Sequence, residues 1–403
     1  MCGIIGQLGA QPPSAQVLQS IHHRGPDANG LQRIPLGTQD LWLGHTRLSI
    51  VELSEAGAQP MQSQDGRWWL SFNGEIYNHQ EHRHRSNVSF KGSSDTETLV
   101  ELLAAIGVQA TLPLLNGMYA FAAVDTLEHK LYLVRDPFGI KPLYYHEQGS
   151  RLSFCSELRG LKALGAPLKL SSTGLEQFLT LRYVPSPDTL VDGIQRLPPG
   201  HVYHRDLRSG QAGVSPFIKA TQTRFEGSFS DACQAYQQQL AAAVERQLMS
   251  DVPVGILLSG GIDSALVAAM ACQAGSRLTG FTVGFGDQHS ECEISDAAHT
   301  AQVLGLEHRS ITVDPEQLWE AIPEIVASVE EPLGTTSILP MWYLVQKARE
   351  EVTVVLTGQG SDEPWGGYRR YQLELLRAKA PDALWRLSSP LLKPLPGLLE
   401  KQL

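Results

Sequence analysis

VGILLSGGIDSALVAAMACQA (254–274) decides how the second half of this chain folds. Val254–Leu258 is a short, continuous apolar run, the pattern of a strand buried on both faces. Ser259, Gly260 and Gly261 interrupt it, and a small-residue helix, ALVAAMACQA, follows. A strand that passes through two glycines into a helix lets backbone approach a ligand closely. It also aims free N–H groups at an anion. Ser259 and Ser264 add hydroxyls. Asp263 would repel phosphate unless a cation lay between them, which points to Mg2+. The spacing is neither the GxxxxGK[ST] phosphate loop nor the dinucleotide GxGxxG. A tight structural turn is the competing reading, and pyrophosphate binding is the one that SGGxDS after a strand favours.

Working outward, LTGFTVGF (278–285), HRSITV (308–313) and EEVTVVLTG (350–358) read as further strands, and 229–249 and 295–305 as helices. This alternation predicts an α/β doubly wound parallel sheet. The loop TGQGSDEPWGGY (357–368) follows another strand, so Asp362 is expected to meet Asp263 around one ion at the carboxyl edge of the sheet. The first half differs. Runs at 41–51, 67–77, 117–125, 130–136 and 152–157 read as strands, with one clear helix at 96–107 after a Ser/Asp start. That pattern suggests a layered α+β domain. Pro/Gly-rich stretches at 185–200 and 210–216 read as connector. The expected division is 1–205, a linker at 206–227, and 228–403. The tail 378–403, rich in leucine with four prolines, is assigned to no element.

Composition narrows the function classes. A net charge of −10 over 403 residues argues against a broad nucleic-acid footprint. The short run His82-Arg83-His84-Arg85 reads as a solvated loop. Residues 1–20 lack the pattern of a signal peptide, and no apolar stretch reads as a bilayer span. Five scattered cysteines without CxxC spacing argue against a disulfide framework or a zinc site and fit a cytoplasmic protein.

One of those cysteines opens the chain: MCGIIGQLG (1–9). Loss of Met1 would put a thiol and a free α-amine on Cys2, a nucleophile beside its own base. Polar residues among the first-half strands could serve it. Arg47 could clamp a carboxylate bidentately, and Asp95 and Glu75 could take an ammonium group. Asn73 and the Gly74 N–H could form an oxyanion hole. Together they would hold an amino acid by both ends while a thiol attacked its side-chain amide.

These residues resemble the glutamine-dependent asparagine synthetase family. The similarity runs from Met1 to about Tyr371 through MCGI, HRGPD (23–27), RLSIV (47–51), NGEIYNH (73–79), GSSDTE (92–97), RDPFGIKPLYY (135–145), SELRGLK (156–162), LPPGH (197–201), MSDVPVGILLSGGIDS (249–264) and TGQGSDEPWGGY. The resemblance implies an N-terminal-nucleophile glutaminase domain, an αββα sandwich, followed by an ATP pyrophosphatase-type synthetase domain. Glutamine is hydrolysed at the first site, and ammonia travels through a tunnel to the second. There ATP adenylates a carboxylate, typically aspartate's, and ammonia displaces AMP. By position, Cys2 is the nucleophile. Arg47, Leu48, Ser49, Ile50, Val51, Asn73, Gly74, Glu75 and Asp95 line the glutamine pocket. Leu258, Val283, Thr357 and Gly358 match ATP-contacting positions, beside the Ser259–Gly260–Gly261 turn and Ser264, and Asp263 and Asp362 match the magnesium ligands. A homodimer is a family expectation.

Three features depart from the family pattern. Gln359 replaces a glutamate thought to help amide formation, which bears on acceptor and rate. Glu52 stands where aspartate is usual. The family also continues well past the GGY loop, so a chain reaching Leu403 is either a short divergent member or a piece of a longer protein. The leading expectation is an amide ligase making asparagine in the cytoplasm. A relative amidating another carboxylate is the alternative, and a β-lactam synthetase-like cyclase fits less well because the glutaminase elements are all here. The non-enzyme alternative is a glutaminase-like scaffold with an inactive synthetase half.

Overall fold

Alternation along Gly117–Asp125 shows how the first half is layered. Ala120, Ala122 and Val124 join one core, and Tyr119, Phe121 and Ala123 join another on the opposite face. This is the period-two pattern of a strand buried on both sides. The computed structural model describes residues 1–9, 12–37, 39–218, 223–286 and 292–379. In chain order the first twelve strands are β1 (Gly3–Gly9), β2 (Ala28–Pro35), β3 (Asp40–Arg47), β4 (Met61–Gln62), β5 (Trp68–Ile76), β6 (Gly117–Asp125), β7 (Lys130–Arg135), β8 (Tyr144–Gln148), β9 (Arg151–Cys155), β10 (Ile194–Arg196), β11 (His201–Asp206) and β12 (Ala212–Pro216). They form two antiparallel sheets, ordered β10-β8-β9-β1-β3-β2 and β12-β11-β7-β6-β5-β4.

Ile4, Leu8, Leu41 and Leu43 of the first sheet meet Ala122, Val124, Leu131 and Leu133 of the second. At Gly6 the packing leaves no room for a side chain, since a Cβ would collide with the Phe154 ring. Outside the first sheet lie the 3-10 segment Ala15–Arg24 and the helix Leu158–Ala163, through Val17, Ile21, Leu158 and Leu161. Outside the second lies the helix Asp95–Thr111, through Leu99, Val100 and Leu103. The first half is therefore an αββα sandwich. Ser94 caps that helix by accepting the Glu97 N–H at 3.1 Å, a contact worth about 1 kcal/mol. The cap fixes Asp95 at the helix start.

The second half has β13 (Val254–Leu257), β14 (Thr279–Gly284), β15 (Glu307–Thr312) and β16 (Val354–Leu356), all parallel, in the order β15-β14-β13-β16. Ile256 and Leu258 face one helical layer with Ala268, Ala297 and Ala301, and Leu257 and Phe281 face another with Leu344 and Ala348. Helices on both faces explain the unbroken apolar run.

Several expectations need correcting. The strand expected over 41–51 ends at Arg47, where the chain turns and Leu48 brings its N–H to Cys2 Sγ. The stretches read as connector contain β10 and β12, edge strands whose backbone bonds to β8 and β11 outweigh their Pro/Gly content. The strand expected over 350–358 is only Val354–Leu356. Glu350 to Val352 are still closing the preceding helix, with the Val352 N–H on the Ala348 carbonyl at 2.9 Å. The helix expected over 96–107 continues to Thr111 after a break at Gly107 (φ +73°), a left-handed turn open to glycine. Asp95–Leu114 is also long and apolar enough to span a bilayer by length and composition, contrary to expectation. Its apolar face is instead packed on the second sheet. The tail 378–403 lies outside the described residues from 380 onward.

Candidate active site

The register of β1 against β3 pairs Gly3 with Thr46, which sets Cys2 beside the Arg47–Leu48 turn. The Leu48 N–H lies 3.4 Å from Cys2 Sγ, and Arg24 Nε donates to the Cys2 carbonyl at 2.8 Å. Cys2 opens on a cavity of about 360 Å³ that Arg47, Leu48, Ile50, Val51, Asn73, Gly74, Glu75 and Asp95 also line. Ser49 does not line it. Its N–H is tied to Asp27 Oδ2 at 2.8 Å, which turns the residue away.

Each polar group has a local cause. Arg47 reaches over the buried Gly57, donating to the carbonyls of Ser54, at 3.0 Å, and Glu52, which anchors its fork at the rim. Asn73 is 1 % exposed, and its Nδ2 has no partner, so a donor is aimed into the cavity unused. Asp95 Oδ2 accepts the Ile76 N–H at 2.9 Å. Burial raises Asp95 to about 6 against its backbone donors. Burial and then the Asp95 charge push Glu75 up to about 7, with Lys141 pulling back. Burial also pushes the Cys2 thiol up, opposed by the Leu48 contact, the terminal amine and Lys141. Met1 is exposed as a residue, yet desolvation lowers its α-amine to about 6.

Lys141, Met118 and Gln59 line this cavity without having been singled out from sequence. For Lys141 the signal was available: a lone cation inside FGIKPLYY (138–145) that is buried in the fold. The other unforeseen wall is Thr353–Val355, which comes from the parallel sheet of the second half.

A second cavity, of about 420 Å³, shares Glu75, Met118, Val354 and Val355 with the first. It extends to Thr357, Gly358, Gln359, Tyr236 and Trp365. Because β13 and β16 are parallel neighbours, the SGGIDS and TGQGSDE loops leave the sheet at the same end. They touch: a Cβ on Gly358 would lie 2.5 Å from the Ser264 nitrogen and 3.0 Å from Asp263 Cβ. Within the first loop, Ser259 N–H donates to Ser264 Oγ at 3.1 Å and Gly261 N–H to Ser259 Oγ at 3.1 Å. Gly260 N–H donates to Glu293 Oε2 at 3.0 Å, so this backbone already holds an anionic oxygen. Leu258 is core, and Val283 lies in β14 beside it; neither lines the second cavity. Asp362 starts the short helix Asp362–Trp365.

Among the described residues no group of three or more His, Cys, Asp or Glu could hold a metal ion. Two carboxylates at one sheet edge suit a hard cation that completes its shell with phosphate oxygens and water, which is the habit of Mg2+. Glu330 and Glu331 bind across to the first half instead. Glu330 takes Arg159 Nε at 2.5 Å, and Glu331 pairs with Arg196 and takes the Leu190 N–H at 3.0 Å.

Residues 1–217 match the glutamine amidotransferase domain family and residues 235–402 the asparagine synthase family. The chain is 33% identical to asparagine synthetase [glutamine-hydrolyzing] 1 of Bacillus subtilis, over 92% of this chain and 60% of that protein. It is 30% identical to the probable asparagine synthetase [glutamine-hydrolyzing] of Acanthamoeba polyphaga mimivirus, over 92% of this chain and 68% of that one. It is 31% identical to amidase chyE of Penicillium rubens, over 91% of this chain and 56% of that one. The chain thus spans about 60% of the length of the Bacillus relative. A cysteine at position 2 that shares a cavity with an unpaired amide donor, a glycine-rich strand–helix turn, and both family matches in this order agree: the chain belongs to the glutamine-hydrolysing asparagine synthetase family.

Proposed function

We propose that the protein is an ATP-dependent, glutamine-hydrolysing amide ligase. Cys2, freed by loss of Met1, attacks the side-chain amide of glutamine while its α-amine takes the thiol proton. The Asn73 amide and the Gly74 N–H receive the developing oxyanion. Its collapse breaks the C–N bond, the protonated α-amine returns the proton to the departing ammonia, and water then hydrolyses the Cys2 thioester to glutamate. Arg47 takes the α-carboxylate of glutamine, and Glu75 and Asp95 its α-ammonium. Ammonia passes between the cavities, and at the second site a carboxylate is adenylated by ATP and amidated, leaving AMP and pyrophosphate. Asp263 and Asp362 would hold Mg2+, which neutralises phosphate charge when bound. The observation that carries this reading is the common wall: Glu75, Met118, Val354 and Val355 line both cavities.

Aspartate is the acceptor that most of the named relatives suggest. A different carboxylate is the second reading, favoured by Gln359 at the second cavity and by the likeness to a protein named as an amidase. Carboxylate-dependent ATP–pyrophosphate exchange, run across a panel of acids, tests both. Exchange with aspartate alone selects asparagine synthesis, and exchange with another acid selects the alternative. No exchange with any acid, beside intact glutamine hydrolysis, would leave only the scaffold reading. Asp263→Asn and Asp362→Asn should each lower exchange by roughly tenfold or more with glutamine hydrolysis unchanged. Unaltered exchange in both variants would remove the metal assignment.

The glutamine site should also be pH-sensitive. Glu75 at about 7 and Asp95 at about 6 are both raised, so they are charged only above those values. Their attraction for an ammonium is present at high pH and lost as pH falls through that window. KM for glutamine should therefore rise roughly tenfold from about pH 8 to about pH 5.5. Glu75→Gln should raise KM at high pH and flatten the profile. A wild-type KM constant over that range would contradict the ammonium assignment.

A further inference from the structure

Glu52 is one of three described residues other than glycine with positive φ, at +59°. A side chain disfavours this left-handed backbone, which persists where surroundings fix it. Here they do so from three sides. Its carboxylate takes the Ser54 N–H at 3.1 Å and the Ser93 N–H at 2.8 Å, and the Ser54 and Ser93 hydroxyls as well. Its carbonyl takes Arg47 Nη2. Its N–H donates to Asp251 Oδ2 at 2.7 Å, and Asp251 in turn donates its own N–H to the Ile50 carbonyl at 2.9 Å.

Asp251 belongs to the other half of the chain, in the segment that leads directly into β13 and the SGGIDS loop. We infer that Asp251 is a positioning residue for glutamine: from the second half it pins Glu52 in the left-handed form and so sets the Arg47 fork at the cavity rim. The inference rests on the reading of that cavity as a glutamine site. Without the Asp251 carboxylate, Glu52 can relax to ordinary backbone. Its carbonyl then swings off Arg47, and the guanidinium loses one of its two anchors. The cysteine and oxyanion donors are untouched, so binding changes and chemistry does not. The same residue also ties the glutamine loop to the strand that carries the nucleotide loop.

The test is steady-state glutamine hydrolysis by Asp251→Ala and Asp251→Asn, with melting temperature and ammonia-dependent pyrophosphate release measured alongside. Asp251→Ala should raise KM for glutamine about tenfold with kcat within about twofold. Pyrophosphate release from ammonia should not change. Asp251→Asn keeps an acceptor oxygen for the Glu52 N–H and should return KM to within about threefold of wild type. An unchanged KM in Asp251→Ala overturns the inference. So does an asparagine variant no better than alanine, or a parallel fall of kcat, KM performance and melting temperature. A wild type without Cys2-dependent glutamine hydrolysis overturns the glutamine reading and this inference together. A wild type that hydrolyses glutamine beside a silent Asp251→Ala overturns this inference alone.

Discussion

Cys2→Ala is expected to lower glutamine hydrolysis by at least ~10³-fold while leaving ammonia-dependent pyrophosphate release within about twofold of wild type. The size of the loss follows from what the site contains. On the proposed reading Asn73 Nδ2 stabilises a tetrahedral oxyanion, and among the described residues that line this cavity Cys2 carries the one thiol. Lys141 is buried nearby with its ammonium disfavoured by desolvation, and Glu75 and Asp95 are carboxyls raised toward neutrality. None of these forms a good acyl-accepting nucleophile in place of sulfur. Ammonia supplied from solution bypasses the first cavity, so the second site keeps its nitrogen source. Hydrolysis of glutamine by Cys2→Ala at the wild-type rate would end the assignment.

Gln359→Glu is expected to raise asparagine formation by about 10²–10⁴-fold with aspartate-dependent pyrophosphate exchange unchanged. Gln359 lines the second cavity, and its backbone N–H bonds to Thr357 Oγ1 at 3.3 Å. As ammonia attacks an adenylate, the nitrogen must lose a proton. A carboxylate accepts that proton at neutral pH, and an amide can only hydrogen-bond. Glu330 and Glu331 are poor substitutes, since their carboxylates are spent on Arg159 and Arg196. The wild type should therefore adenylate readily and amidate aspartate slowly, or act on an acceptor that brings its own base. Rapid asparagine formation by the wild type, with nothing gained by Gln359→Glu, would defeat the argument.

The parts of the molecule legible in sequence were those with a local physical cause. The apolar run before SGGIDS reads as a doubly buried strand, and the Ser/Asp start before 96–107 reads as the opening of a helix, which Ser94 caps. Arg47, Asn73 and Glu75 on strands, and Asp95 at a helix start, were readable as chemistry because polar groups among apolar segments are costly to bury without a use. What was not legible depends on partners far away in the chain. Leu48–Val51 look like strand until Cys2 claims the turn, and Ile194–Arg196 look like loop until Tyr144 pairs with Arg196. Val354 and Val355 read as core strand, and nothing local says that they also wall a cavity in the other half. Asp251 and Glu330 are ordinary surface acids until the halves meet.

The brevity of β16 has a consequence for how the chain can be divided. Among the described residues it is the outer strand of the parallel sheet, with β13 on one side only. An outer strand with free backbone groups is an invitation to unwanted pairing, and proteins blunt such borders by shortening or covering them. Here both devices coincide: Val354–Leu356 is three residues long, and its valines share cavity walls with Glu75 and Met118 of the αββα sandwich. Cutting the chain between its halves would bare that border on one fragment and remove one wall of the Cys2 cavity on the other. Each half therefore supplies a wall that the other lacks, and expressing them apart would leave Val354 and Val355 without the sandwich residues that share their cavities.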